Sequence, residues 1–274
     1  MTSAAAPDIQ PFTARTTEQF LQHWDDRRNF LLGPELISFA MQLPPAEQIV
    51  DILRTDEKVK INFFEAQDDD EAESLRQHFR TAPLEQVIDL PFNLSHFDLH
   101  HWYDSGRFLA DFQRQVMIPW RTFLSAAGLT FMRCYPIIFI SGKRRSSRYH
   151  ADISHVLAWQ THGVKTFQGF KDPEKYAPIQ DVVDNRASYG GSNLPPDGIE
   201  SQDILAYRME PGDILWNQLQ TPHWVTGSND EIAVSVNISH GGVQHQGRFC
   251  ANEQVLRNRW KEHPDEAWLI DERY

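Results

Sequence analysis

Two cysteines in 274 residues, Cys134 and Cys250, cannot build a disulfide framework. Their scarcity suits a reducing compartment, and a cytoplasmic protein is expected. No apolar run approaches the roughly 18 residues of a membrane span. No basic-then-apolar leader opens the chain, and MTSAAAPDIQ reads as a flexible tail. Positive charge is also short. Lys and Arg number 26 against 38 Asp and Glu, a net charge of −12. That balance excludes a nucleic-acid backbone as partner, which needs a basic footprint. It leaves small molecules or peptides as substrates. The acidic run Asp68–Glu73 reads as the solvated start of a helix.

What remains is an ordinary soluble composition, 41% hydrophobic and 12% aromatic, with enough length for a large core. The first 127 residues are helix-rich. Thr16 and Gln19 fit a capping box before the stripe Phe20, Leu21, Trp24. Pro44-Pro45 opens a second helix through Ile49, Ile52 and Leu53. Residues 58–64 read as a strand and 70–79 as a helix. Phe108, Leu109, Phe112, Val116, Trp120, Phe123 and Leu124 predict a long packing helix over 105–127, kinked at Pro119 and ended by Gly128.

After Gly128 the texture changes. TFMRCYPIIFI, HVLAWQT, KTFQGF, DILAYRM, DILWNQL and EIAVSVNIS are short, β-branched or aromatic, and separated by turn residues. Short strands without intervening helices predict a sandwich or jelly roll over 128–245. Residues 172–202 interrupt the series as a long polar loop, expected to be a lid or substrate loop. Residues 246–274 form a C-terminal extension. Its helix over 252–263 carries Val255, Leu256 and Trp260, a face suited to the barrel or to a second copy of the chain in a homodimer.

The stretch YHADISHVLAWQTHGVK (149–165) organises the candidate chemistry. Chance gives about 1.7 His-x-Asp/Glu pairs in such a composition. There are four: at His23, His96, His150 and His263. His23 lies on a predicted helix, where i and i+2 do not share a face. His263 straddles Pro264. His96 sits in a loop-like cluster with His100 and His101, the main rival metal site. His150 and Asp152 fall at the edge of a strand series, where i and i+2 project together. His223, ten residues past the turn at Asp213, supplies a third donor. Two imidazoles and one carboxylate from adjacent strands form a facial triad that suits non-haem Fe(II). A structural zinc site would favour four closed ligands. Lys165 lies thirteen residues past Asp152. It reads either as a surface lysine of an edge strand or as a buried ammonium awaiting an anion.

The ordered pieces IIFISGKRRSSRYHAD, GVKTFQGF, PGDILWNQLQTPHWV and AVSVNIS, from about Thr130 to Ser239, resemble the JmjC and asparaginyl-hydroxylase-like branch of the cupin superfamily. The resemblance implies a mainly β protein, a double-stranded β-helix with a helix-rich N-terminal region and a C-terminal helix. It implies an Fe(II)- and 2-oxoglutarate-dependent oxygenase, with O2 as cosubstrate, that releases succinate and CO2 and hydroxylates an unactivated C–H bond. Carried over by position, His150, Asp152 and His223 bind the metal and Lys165 meets the C5 carboxylate of 2-oxoglutarate. Ser147 falls where a hydroxyl assists that lysine, and Asn237 where an amide lies near the C1 carboxylate. Tyr149, Trp159, Trp216 and Trp224 become candidate pocket walls, and Arg144, Arg145 and Arg148 a basic mouth. The sequence departs from the family pattern at Ala151 and in that basic loop, and Tyr103 is a guess for the tyrosine some members draw from the first half. Two other classes stay open: a cupin-type metalloenzyme without 2-oxoglutarate, a dioxygenase or isomerase, and a non-catalytic β-helix binding module.

Overall fold

The computed structural model describes residues 12–267, except positions 64, 65, 67, 144, 194 and 229. The expected N-terminal tail lies outside the described residues. The helices are α1 (Thr17–Asp25), α2 (Ala46–Arg54), α3 (Asp69–Thr81), α4 (Leu84–Val87), α5 (Ile118–Ala126), α6 (Pro173–Tyr176), α7 (Ile179–Asp184) and α8 (Ala251–Glu262). The capping box at Thr16 is formed, with Gln19 N–H donating to Thr16 Oγ1 at 3.2 Å and the Gln19 side chain accepting from Thr16 N–H.

The first half of the chain contributes strands as well as helices: β1 (Thr13–Ala14), β2 (Phe30–Leu32), β3 (Lys60–Asn62) and β4 (Asn93–His96). After it come β5 (Leu129–Thr130), β6 (Arg133–Ser141), β7 (Ser146–His150), β8 (His155–His162), β9 (Lys165–Phe170), β10 (Gly190–Asn193), β11 (Ile204–Met209), β12 (Ile214–Asn217), β13 (His223–Gly227), β14 (Ala233–Gly241), β15 (Gln244–His245) and β16 (Arg248–Phe249). The large sheet runs β1-β2-β12-β8-β14-β6-β4-β3, and the small one β10-β7-β13-β9-β11. From β6 onward the chain passes from one sheet to the other and back. β6, β8, β12 and β14 lie in the large sheet, and β7, β9, β11 and β13 face them from the small one. This is the expected double-stranded β-helix.

The central strand β14 shows what the fold builds. All nine of its residues are buried, because both faces of the large sheet are covered. Val234, Val236 and Ile238 face outward, into the core shared with Phe20, Trp24 and Trp120. Ser235, Asn237 and Ser239 face the barrel interior, paired with Phe139, Ile137 and Tyr135 of β6. A polar row on the inner face of a fully buried strand is costly unless something polar fills the interior.

Three expectations are corrected. The helix expected over 105–127 begins only near Phe112. It opens with a π-turn over Gln113–Met117 and continues as α5, with Pro119, which has no N–H to bond the preceding turn, directly after the π-turn. Upstream, Gly106 at φ +82° breaks the helical path. The segment 172–202 is not a structureless loop. It folds as α6, α7 and β10, and buries Ala177, Val182, Val183 and Tyr189. Third, Trp159 and Trp216 are no pocket walls: they point into the helical core, where Phe20 and Trp216 meet at 5.5 Å. The last helix, α8, sets Leu256, Val255 and Trp260 against Val183 and Leu219 of the same chain. Cys134 and Cys250 are free thiols. No helix among the described residues is long and apolar enough to cross a membrane.

The β8–β9 turn depends on one glycine. Gly163 has φ +61°, and a Cβ there would lie 2.4 Å from the Ile232 carbonyl oxygen. Gly163→Ala is therefore expected to destabilise the fold by about 3 kcal/mol, from left-handed strain plus a backbone collision. Urea unfolding checks it: the midpoint falls while the slope stays fixed. A change below about 0.5 kcal/mol, the scale of an ordinary surface substitution, would contradict it.

Candidate metal centre

His150 closes β7, and His223 opens β13 directly opposite it. Asp152 lies two residues beyond the end of β7. The expectation of one continuous strand through both is corrected in this detail. The exit is held by the backbone: Ala151 N–H donates to Tyr189 O at 3.0 Å, and Gln220 N–H donates to Asp152 O at 2.8 Å. The three side chains converge. His150 Nε2 is 3.7 Å from Asp152 Oδ1, His223 Nε2 is 3.8 Å from Asp152 Oδ2, and the two rings lie 4.2 Å apart. Among the described residues, no fourth histidine, cysteine or carboxylate joins them.

The hydrogen bonds set the tautomers. His150 Nδ1 lies 2.7 Å from Arg148 O, and His223 Nδ1 lies 3.0 Å from Thr221 O. A carbonyl only accepts, so each ring carries its proton on Nδ1 and turns the Nε2 lone pair toward the shared space. Burial, reinforced by His150 beside it, pushes His223 down to about 4, with Asp152 opposing. At neutral pH its imidazole is uncharged, the form that can ligate a metal. Phe167 stacks on His223 at 4.6 Å and fixes the ring plane. These observations fit a divalent metal with N, N, O donors.

The rival cluster fails the same test. His96 and His101 each place Nε2 2.9 Å from Asp56 Oδ2. But His96 Nδ1 accepts from Asp98 N–H at 3.1 Å, so its proton sits on Nε2 and points at the carboxylate. No lone pair is left there for a metal. The cluster is a hydrogen-bonded tie between β4 and the loop after α2.

Lys165 is buried on the inner face of β9. Among the described residues its Nζ has two long contacts, 3.4 Å to Phe139 O and 3.3 Å to Ser235 Oγ, and no carboxylate partner. Desolvation lowers it to about 7. Asn237 lies two residues along β14 from Ser235, buried, with Oδ1 unpartnered among the described residues. Ser147 pairs with Val225 across a register shift and accepts Val225 N–H at 3.0 Å. A cavity of about 80 Å³ follows the inner face of β6, with Ile137, Phe139, Tyr135, Ser239 and Asp152 in its wall.

Other candidates fall elsewhere. Tyr149 and Trp224 pack with Phe170 on the outer side of the small sheet. Tyr103 stacks on Phe112 and is not among the residues that line the cavity beside Asp152. Of the basic loop, Arg145 is buried, Arg148 is exposed, and Arg144 lies outside the described residues. Two residues escaped the sequence reading. Tyr135 lines the cavity, and Asn217 donates to Asp152 Oδ2 at 2.6 Å. For Tyr135 the available signal was position, since it pairs with Ser239 on the polar inner row of β14; Asn217 pairs with Val156 and carried no such signal.

No protein-family model matches the chain, and no curated protein does. Solved structures match at low identity. The ribosomal oxygenase YcfD of Escherichia coli does so at TM-score 0.47 and 18% identity, over 81% of this chain and 50% of that one. Its complex with cobalt and 2-oxoglutarate matches at TM-score 0.46 and 18% identity, over the same shares. A cupin superfamily protein from Desulfitobacterium hafniense matches at TM-score 0.25 and 11% identity, over 41% of this chain and 75% of that one. The chain spans about half the length of the E. coli structures it matches.

Proposed function

We propose that this chain is an Fe(II)- and 2-oxoglutarate-dependent oxygenase that hydroxylates an unactivated C–H bond of a small molecule, amino-acid derivative or peptide side chain. The observation that carries the reading is a pairing. A three-donor centre with both imidazole lone pairs aimed inward shares one barrel with a buried lysine that meets no carboxylate among the described residues. Along β14, Ser235 stands beside Lys165 and Ser239 lines the cavity that Asp152 also lines, so the ammonium and the three donors open on the same inner face. A dicarboxylate held by the metal at one end would extend its other carboxylate along that face toward the ammonium.

When bound, the iron supplies the oxidising chemistry. The residues of this chain do the rest. His150, Asp152 and His223 hold the metal and leave part of its coordination sphere for cosubstrate and O2. Lys165 anchors the distal carboxylate. Ser147, whose oxygen already accepts a backbone N–H, keeps its own proton to donate to that carboxylate. Asn237 presents an amide between the two ends. The apolar wall of Ile137, Phe139 and Phe167 limits water beside the metal.

Purified protein given Fe(II), ascorbate and 2-oxoglutarate is expected to form succinate, faster when a true substrate is added. Screening acids, amino-acid derivatives and peptides for accelerated succinate release identifies the substrate class. Protein that binds Fe(II) yet never forms succinate would support the binding-module alternative instead.

A further inference from the structure

The metal centre has one weakly supported ligand. His150 and His223 stand on paired strands, but Asp152 lies past the end of β7. What holds its carboxylate is Asn217, the last residue of β12, 2% exposed. Asn217 Nδ2 donates to Asp152 Oδ2 at 2.6 Å and lies 3.5 Å from His223 Nε2. Its Oδ1 is buried and has no hydrogen-bond partner among the described residues. The amide is therefore satisfied by protein at one end only.

Its neighbours make it rigid. Trp216 points into the helical core and donates its indole N–H to Gln218 Oε1 at 2.7 Å. Gln218 N–H in turn donates to Asn29 Oδ1 at 2.8 Å, and the Gln218 amide nitrogen donates to Trp24 O. β12 thus ends in a clamp fastened to the N-terminal helical region, and Asn217 projects from it toward the triad.

We propose that Asn217 is a positioning residue of the metal centre. Its N–H occupies Asp152 Oδ2, so that Asp152 presents its other oxygen, Oδ1, and binds the metal through one oxygen. Its Oδ1 accepts a hydrogen from an O–H or N–H group of a ligand entering beside the metal. An amide aimed this way ties metal binding to the packing of the N-terminal half, through Gln218, Asn29 and Trp24. The inference rests on the reading of His150, Asp152 and His223 as a metal site.

Co(II) titration of metal-free protein tests it without turnover. Wild type is expected to bind one Co(II) per chain with a visible absorption band. Asn217→Leu, close in volume but unable to donate, is expected to bind roughly 10–100-fold more weakly, the usual cost of losing a partner behind a ligand. Its band should shift, because the carboxylate is free to turn. Asn217→Ala repeats the measurement without overpacking, and circular dichroism and thermal melts confirm that both variants fold. If both folded variants bind Co(II) as wild type does, with an unchanged spectrum, the positioning role is wrong and the triad reading survives. If wild type itself binds no Co(II), the triad reading fails and takes this inference with it.

Discussion

Asp152→Ala is expected to abolish both metal binding and succinate formation. Asp152 is the one carboxylate donor of the three; the others are imidazoles, and burial keeps that of His223 uncharged. Removing it leaves two imidazoles with ring centroids 4.2 Å apart, and a buried Asn217 amide that has lost its carboxylate acceptor. Loss of a ligand should cost more than the roughly 10–100-fold that follows loss of a partner behind one. A variant protein loaded with Fe(II) at concentrations that saturate wild type should therefore contain no bound iron by elemental analysis and release succinate at the buffer rate. Equal succinate release by wild type and Asp152→Ala would falsify the ligand assignment. Residual iron without turnover would instead mean that the histidines hold metal alone and the carboxylate acts later.

Much of this centre is legible in the chain, and the limits are physical. The strands after Gly128 are readable because runs such as HVLAWQT and AVSVNIS are rich in β-branched and aromatic residues between turn signals. Their inner and outer faces are not. On a sheet covered on both sides, alternation marks two buried faces and does not say which one is the barrel. That is why Trp216 read as a pocket wall while its neighbour Asn217, necessarily on the other face, passed unnoticed. Lys165 was equally balanced between an edge lysine and a buried one, and only the placement of β9 between β13 and β11 decides it. The 172–202 segment hid α6, α7 and β10 because helices of four and six residues give too short a period to read. The rival histidine cluster looked comparable by spacing. It is ruled out by a single backbone N–H, from Asp98, that no spacing records.

Lys165→Met is expected to stabilise the ligand-free protein and destroy its use of 2-oxoglutarate. Burial lowers this lysine from its ordinary 10.5 to about 7, while the unfolded chain keeps the ordinary value. Between those two values the unfolded state holds more protons, so stability rises with pH across that window. At and below about pH 7 the folded protein carries the buried charge at full cost, a shift on the order of 5 kcal/mol. Methionine removes the charge and keeps the stem, so at pH 6.5 it should gain about 1–4 kcal/mol and flatten the pH dependence above 7. The same change deletes the partner of a cosubstrate carboxylate, worth roughly 2–5 kcal/mol, and the KM for 2-oxoglutarate should rise about 30-fold or more. Thermal melts with and without 2-oxoglutarate and Mn(II) separate the two effects: wild type gains stability from the cosubstrate, and the variant starts higher and gains none. A variant that is more stable yet still saturates with 2-oxoglutarate at wild-type concentrations would move the anion site elsewhere. One that turns over some other substrate undisturbed would favour a metalloenzyme that uses no 2-oxoglutarate, because the buried ammonium would then have no cosubstrate carboxylate to meet.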